Sequence, residues 1–137
     1  MEPISILLID DHPTFLKTAA RFLESQGGMR VETTVCGGRR ALALATELRP
    51  DVIAVDISMP EQSGLDLIPL LKGELRDVAI VVLTMLDADS YGGEARSRGA
   101  DAFVSKMTMS SDLVPAILSV IEAKRGGTPD QANCCLP

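Results

Sequence analysis

Apolar residues fall along this chain in two alternating rhythms, and that alternation predicts the architecture. Ile4 to Ile9 is apolar except for Ser5, Val52 to Val55 and Ala79 to Leu83 are solid apolar runs, and Val31 to Val35, a short second strand, and Asp101 to Val104 complete five strand candidates. Runs rich in Val and Ile, with little polar alternation, fit strands covered on both faces. Between them the period lengthens to that of a helix. From Pro13 a helix presents Phe15, Ala19, Phe22 and Leu23 as one stripe and stops before Gly27-Gly28, and Arg39 to Leu48 turns Ala41, Leu44, Ala45 and Leu48 inward. A third helix covers roughly Leu65 to Leu71, where Ser63-Gly64 can cap and open it and Pro69 predicts a late start or a kink. Asp87 to Arg98 is the fourth helix, and Asp112 to Lys124 the fifth, with Leu113, Ile117, Leu118 and Ile121 on one side. Strands and helices alternating at this spacing imply right-handed βαβ units, hence an α/β fold whose parallel sheet is covered on both faces. The fourth helix is the softest element, because its inward stripe is thin and Gly92 and Gly93 each cost roughly 1 kcal/mol against Ala.

Polar residues interrupt this pattern at one recurring place. The first strand runs into Asp10-Asp11, the third into Asp56, the fourth into Thr84 and the fifth into Ser105-Lys106. Parallel strands share one C-terminal edge, which is where open α/β sheets bind ligands. Pro60 disfavours helix at Met59, so Asp56 is held at a strand-to-loop boundary. Three carboxylates brought together repel and raise each other's pKa unless a cation sits among them. Mg²⁺ suits that demand, since it takes a few oxygens and leaves positions for water and phosphate. Lys106 can pair with Asp56 or with an incoming phosphoryl oxygen, and the Thr84 hydroxyl can donate to another such oxygen. A carboxylate so placed can attack phosphorus and form an acyl phosphate, and Asp56, flanked by the others, is the candidate acceptor. His12 reads as a loop residue packing beside the acids rather than as a ligand.

Composition narrows the field further. A length of 137 residues fits one domain over 1–124, with 125–137 a flexible linker or tail that lacks apolar period. There is no long apolar run and no signal-peptide pattern, so the expected address is cytoplasmic, without membrane contact. The net charge of −6 and the absence of Trp argue against direct nucleic acid binding by this chain, which would need clustered Lys and Arg or stacking aromatics. Cys134 and Cys135 are adjacent and Cys36 stands alone, so all three read as reduced thiols.

Taken together, Leu8-Ile-Asp-Asp-His-Pro13, Asp56 with Met59-Pro60 and Gly64, Val82-Leu-Thr84, Gly99-Ala-Asp101 and Phe103-Val-Ser-Lys106 resemble the response-regulator receiver domain of two-component signalling, over roughly residues 4 to 124. The opening Asp10-Asp-His-Pro13 is similar to the NarL/FixJ subfamily, whose members usually carry a DNA-binding helix-turn-helix domain after the receiver. The resemblance implies a flavodoxin-like, doubly wound five-stranded sheet in order 2-1-3-4-5 with five helices. It implies a regulator rather than an enzyme, with Asp56 accepting a phosphoryl group from a sensor histidine kinase. Asp11 and Asp56 would ligate Mg²⁺ with the backbone carbonyl of Ser58, and Asp10 would act through water. Thr84 would move to bond the phosphoryl oxygen, and Phe103 would turn inward behind it. Helix four, strand five and helix five would form the readout face, with a homodimer on phosphorylation left open.

Departures from that family's pattern carry expectations of their own. Met107 stands where many receivers have Pro, and Phe103 lacks the hydroxyl of the commoner Tyr. Ser58 and Leu86 occupy the positions that set water access in the family, and neither can orient an attacking water, so self-dephosphorylation is expected to be slow. Gly92-Gly93 lead to the expectation that helix four is partly disordered without phosphate.

Other readings stand beside this one. The chain fits the receiver half of a transcription factor cut near Thr128-Pro129, and nearly as well a stand-alone receiver acting through protein contacts. An aspartyl phosphatase of the haloacid-dehalogenase type also uses a strand-end Asp with Mg²⁺. Those enzymes place the nucleophile on the first strand with a second Asp two residues on, where this chain has Ser58. A flavodoxin-like electron carrier would need a Ser/Thr-rich phosphate cradle after strand one, and here that loop is acidic.

Overall fold

The computed structural model describes residues 2–60 and 63–126. In chain order the elements are β1 (Ile4–Asp10), α1 (Pro13–Glu24), β2 (Met29–Cys36), α2 (Ala41–Leu48), β3 (Val52–Val55), α3 (Gly64–Glu74), β4 (Ala79–Thr84), α4 (Ala88–Arg98), β5 (Ala102–Ser105) and α5 (Met109–Gly126), with a 3₁₀ turn over Lys106–Thr108. All strand pairs are parallel, and the sheet order is β2-β1-β3-β4-β5, as the resemblance implied.

Because strand side chains alternate between faces, the sheet builds two cores. Leu7, Ile9, Ile53, Val55, Ile80 and Val82 face α2, α3 and α4, where they meet Ala45, Leu67, Ile68, Leu71 and Ala95. Ile6, Leu8, Val52, Ala54, Val81 and Leu83 face α1 and α5, where they meet Leu16, Ala19, Leu23, Leu113 and Ile117. β3 and β4 are buried at every position, which is why their sequences read as unbroken apolar runs. No helix among the described residues is long and apolar enough to cross a membrane.

Several helix details differ from the sequence expectation. On α1 the fully buried stripe is Leu16, Ala19 and Leu23, while Phe15 and Phe22 are half-buried at its flanks. On α5 the inward set is Leu113, Ile117, Val120 and Ile121, and Leu118 is 51% exposed. That helix begins at Met109 and runs on to Gly126. Residues 127–137, including Thr128-Pro129, Cys134 and Cys135, lie outside the described residues.

Pro69 neither delays nor ends α3, which starts at Gly64 with the Ser63 hydroxyl accepting from the Leu65 amide at 3.1 Å. A proline inside a helix withholds the N–H that would serve the carbonyl four residues earlier. Here that carbonyl belongs to Leu65, and Arg98 Nη1 donates to it at 3.2 Å from α4. The same guanidinium pairs with Asp66 at 2.9 Å and Glu94 at 2.8 Å. α4 itself is continuous through Gly92 and Gly93, capped by Asp87, whose carboxylate accepts from the Asp89 amide at 3.2 Å. Its weakness lies in burial, since only Gly92 and Ala95 are buried along it.

Candidate functional site

Register places the site. Ile9 pairs with Val55 and Val55 with Val82, so Asp10 and Asp56 leave the sheet side by side, while Thr84 pairs with Ser105 one step before Lys106. The Asp56 amide donates to the Ile9 carbonyl at 3.0 Å, which continues the ladder to the acceptor itself. Among the described residues the only buried polar side chains are Asp10, Asp56 and Thr84, and all three belong to this cluster.

Asp56 is 1% exposed. Its Oδ1 accepts from the Ser58 amide at 3.0 Å, the Ser58 hydroxyl at 2.9 Å and the Thr84 hydroxyl at 2.6 Å, whereas Oδ2 accepts only from Lys106 Nζ, at 3.0 Å. Burial pushes the Asp56 carboxyl up, but the bonds from Thr84, Ser58 and Lys106 outweigh it and hold the group below its ordinary 3.8. Burial likewise works against the Lys106 ammonium, but Asp10 and Asp56 hold its pKa above the usual 10.5. At neutral pH the pair is therefore ionised on both sides. Lys106 Nζ lies still closer to Asp10 Oδ2, at 2.6 Å, so it bridges the two buried carboxylates. Its outer side faces the Phe15 ring, whose centroid is 4.2 Å away.

Behind Asp56 the chain doubles back on itself. A Cβ on Gly64 would overlap the Asp56 carbonyl oxygen and sit 2.7 Å from Ile57 Cα, so only glycine lets α3 begin against the acceptor. Thr84 Oγ1 also accepts from the Leu86 amide at 3.3 Å, which links the site to the segment entering α4. Phe103 is half-buried and, with Met85, Leu86 and Met107, borders a cavity of about 450 Å³.

Asp10, Asp11, His12 and Asp56 each present one ligand atom, all within 4.8 Å of one another. His12 donates its backbone N–H to Asp10 Oδ1 at 3.0 Å, and its Nδ1 lies 3.1 Å from the same oxygen. Asp11 Oδ1 is different: His12 Nδ1 comes within 3.0 Å but is not aligned to bond it, and this buried oxygen has no hydrogen-bond donor among the described residues. A buried carboxylate oxygen without a donor is costly, and a hard dication among these oxygens would satisfy it, so the residues fit such an ion.

The expected polar strand-ends thus converge, and Leu86 and Phe103 lie beside them. Sequence reasoning missed three things: the Lys106–Asp10 pair, the Ser58 hydroxyl on Asp56 and the Phe15 ring over Lys106. The first two join residues already singled out and needed only strand register. The third had a weak signal, an aromatic one turn into the helix that follows the acidic pair.

Residues 6–118 match the response regulator receiver domain family. The transcriptional regulatory protein MctR of Rhizobium johnstonii is 32% identical over 117 residues, covering 85% of this chain and 55% of MctR, so the chain spans little more than half of that relative. A response regulator from Burkholderia pseudomallei, solved with a phosphorylated aspartic acid, calcium ion and citrate, is 29% identical with a TM-score of 0.74, over 89% of this chain and 72% of that one. A LuxR-family two-component response regulator from Aurantimonas sp. SI85-9A1 shares the fold at a TM-score of 0.83, with 24% identity over 95% of this chain and 90% of that one. The chain belongs to the response regulator receiver domain family.

Proposed function

We propose that this chain is a phosphoacceptor signalling domain in which Asp56 takes a phosphoryl group from a phosphohistidine on a sensor histidine kinase. The observation that carries the reading is the state of Asp56: an ionised, buried carboxylate with Oδ1 held by Ser58 and Thr84, and Oδ2 bonded only to Lys106. Oδ2 keeps lone pairs for attack on phosphorus. In the transfer an O–P bond forms on Asp56 as the N–P bond of the kinase histidine breaks, and the imidazole leaves with that electron pair. The chain so acts on itself rather than on an external substrate. Lys106 and Thr84 are placed to follow the charge onto the phosphoryl oxygens. Asp11 and Asp56 would hold Mg²⁺ with the Ser58 carbonyl, Asp10 acting through water, and the bound ion would neutralise charge on the acids and on the phosphoryl group.

The switch begins at Thr84. Its hydroxyl leaves Asp56 for the phosphoryl oxygen, the segment tied to it through Leu86 follows, and Phe103 turns into the vacated space. Phosphate shifts a two-state equilibrium by binding one state better, and the readout is the face of α4, β5 and α5. Relatives that are transcription regulators, of which this chain spans little more than half, support an output through a DNA-binding domain outside this sequence, with a sensor kinase as partner and a homodimer on phosphorylation left open. Met85 and Met107, 60% and 77% exposed beside Phe103, favour as a second reading a stand-alone receiver that acts by protein contact. Either would work in the cytoplasm.

With the Ser58 hydroxyl committed to Asp56 and Leu86 apolar, neither positions an attacking water. The phosphorylated form should be long-lived, and Leu86→Glu should shorten its lifetime; decay within seconds in the purified wild type would contradict this. The reading itself is tested by intact mass after incubation with Mg²⁺ and acetyl phosphate. One phosphoryl adduct on wild type and none on Asp56→Asn is expected, and an equal adduct on Asp56→Asn would overturn it.

A further inference from the structure

Lys106 is held more completely than its two carboxylate partners require. An ammonium has three N–H donors. Nζ meets Asp10 Oδ2 at 2.6 Å and Asp56 Oδ2 at 3.0 Å, and the Phe15 ring centroid lies 4.2 Å from it. The Lys106 side chain is only 8% exposed. Phe15 stands in the first turn of α1, where Pro13 sets the helix start, and it packs against the core that α1 shares with α5. The ring is thus fixed by the fold rather than by the site.

We propose that Phe15 is a positioning residue for Lys106: its ring sheaths the ammonium, keeps water from it and holds it toward Asp56 while phosphorus is transferred. This rests on the reading of Asp56 as acceptor. A lysine has a flexible four-carbon stem, and without the ring the third N–H would turn to solvent. During transfer the charge of Asp56 is spent in the new O–P bond and negative charge gathers on the phosphoryl oxygens. The Asp56 half of the grip on Lys106 loosens at that moment, while Asp10 and the ring keep theirs. The ring therefore keeps the ammonium pointed at the site where negative charge develops, so that no reorganisation of Lys106 is needed during the step.

The test uses Phe15→Leu, which keeps apolar volume and removes the ring, and Phe15→Tyr, which keeps the ring, both checked for an unchanged unfolding midpoint. The first readout needs no phosphodonor. Ring current should move the Lys106 Hε proton resonances upfield in wild type and Phe15→Tyr, and the shift should vanish in Phe15→Leu. The second is the rate of adduct formation from acetyl phosphate with Mg²⁺, which should fall about tenfold in Phe15→Leu at saturating donor and be restored in Phe15→Tyr. Unshifted Lys106 protons in wild type, or a wild-type rate in Phe15→Leu, would overturn the proposal. Failure of wild type to form any adduct would instead count against Asp56 as acceptor, while the proton shifts would still decide whether Phe15 sheaths Lys106.

Discussion

The two helices that flank β5 are anchored in different ways. α5 sets Leu113, Ile117, Val120 and Ile121 into the core beneath β4 and β5, each fully or nearly fully buried. α4 offers Ala95 and Gly92, and its one aromatic, Tyr91, is 37% exposed. Burial of one large aliphatic side chain stabilises by about 1.5–3 kcal/mol, so α5 is held by a hydrophobic attachment that α4 lacks. What α4 has instead is polar: the Arg98 guanidinium on the Leu65 carbonyl, Asp66 and Glu94. Exposed ion pairs of this kind contribute little and are screened by salt.

Both helices begin within a few residues of the site. α5 follows Lys106 and α4 follows Thr84, to which the Leu86 amide is bonded. Under the proposed switch, a movement of Thr84 toward a phosphoryl oxygen would be delivered to α4, which has less burial than α5 to resist it. The contrast explains how a small change at Asp56 could reorganise one edge of the sheet while leaving the rest in place.

Mutations can break or sharpen the contrast. The largest effect should come from α5, where Ile117→Ala opens a cavity under β4 and should cost about 2–5 kcal/mol in denaturant unfolding. On α4 the change runs the other way. A Cβ at Gly93 meets nothing within 4 Å, so Gly93→Ala should stabilise by up to about 1 kcal/mol and slow amide exchange within α4. If Gly93→Ala left exchange in α4 unaltered, thin burial alone would account for the weakness of that helix.

The central strands β3 and β4 were readable because burial on both faces writes itself into sequence as unbroken apolar runs, and β3 was found residue for residue. The site was readable for the complementary reason: Asp10, Asp56, Thr84 and Lys106 are polar residues at the ends of such runs, and parallel topology brings those ends together. Helix faces were less legible. Leu118 and Val120 both lie within a turn of Ile117 and Ile121, and only packing decides that Val120 goes in while Leu118 stays 51% exposed. The accommodation of Pro69 was not legible at all, because the donor that replaces its missing N–H is Arg98, from a different helix. The same holds for Phe15 over Lys106, a contact between α1 and the residue after β5.

The most direct test of the account is amide hydrogen exchange along α4 and α5, measured without and with acetyl phosphate and Mg²⁺. α4 should exchange far faster than the core-facing turns of α5 in the unphosphorylated protein, and phosphorylation should change protection in α4 and the Met85–Asp87 segment while the Leu113–Ile121 turns keep theirs. Protection in α4 equal to that in α5, unchanged in a sample carrying the phosphoryl adduct, would contradict it.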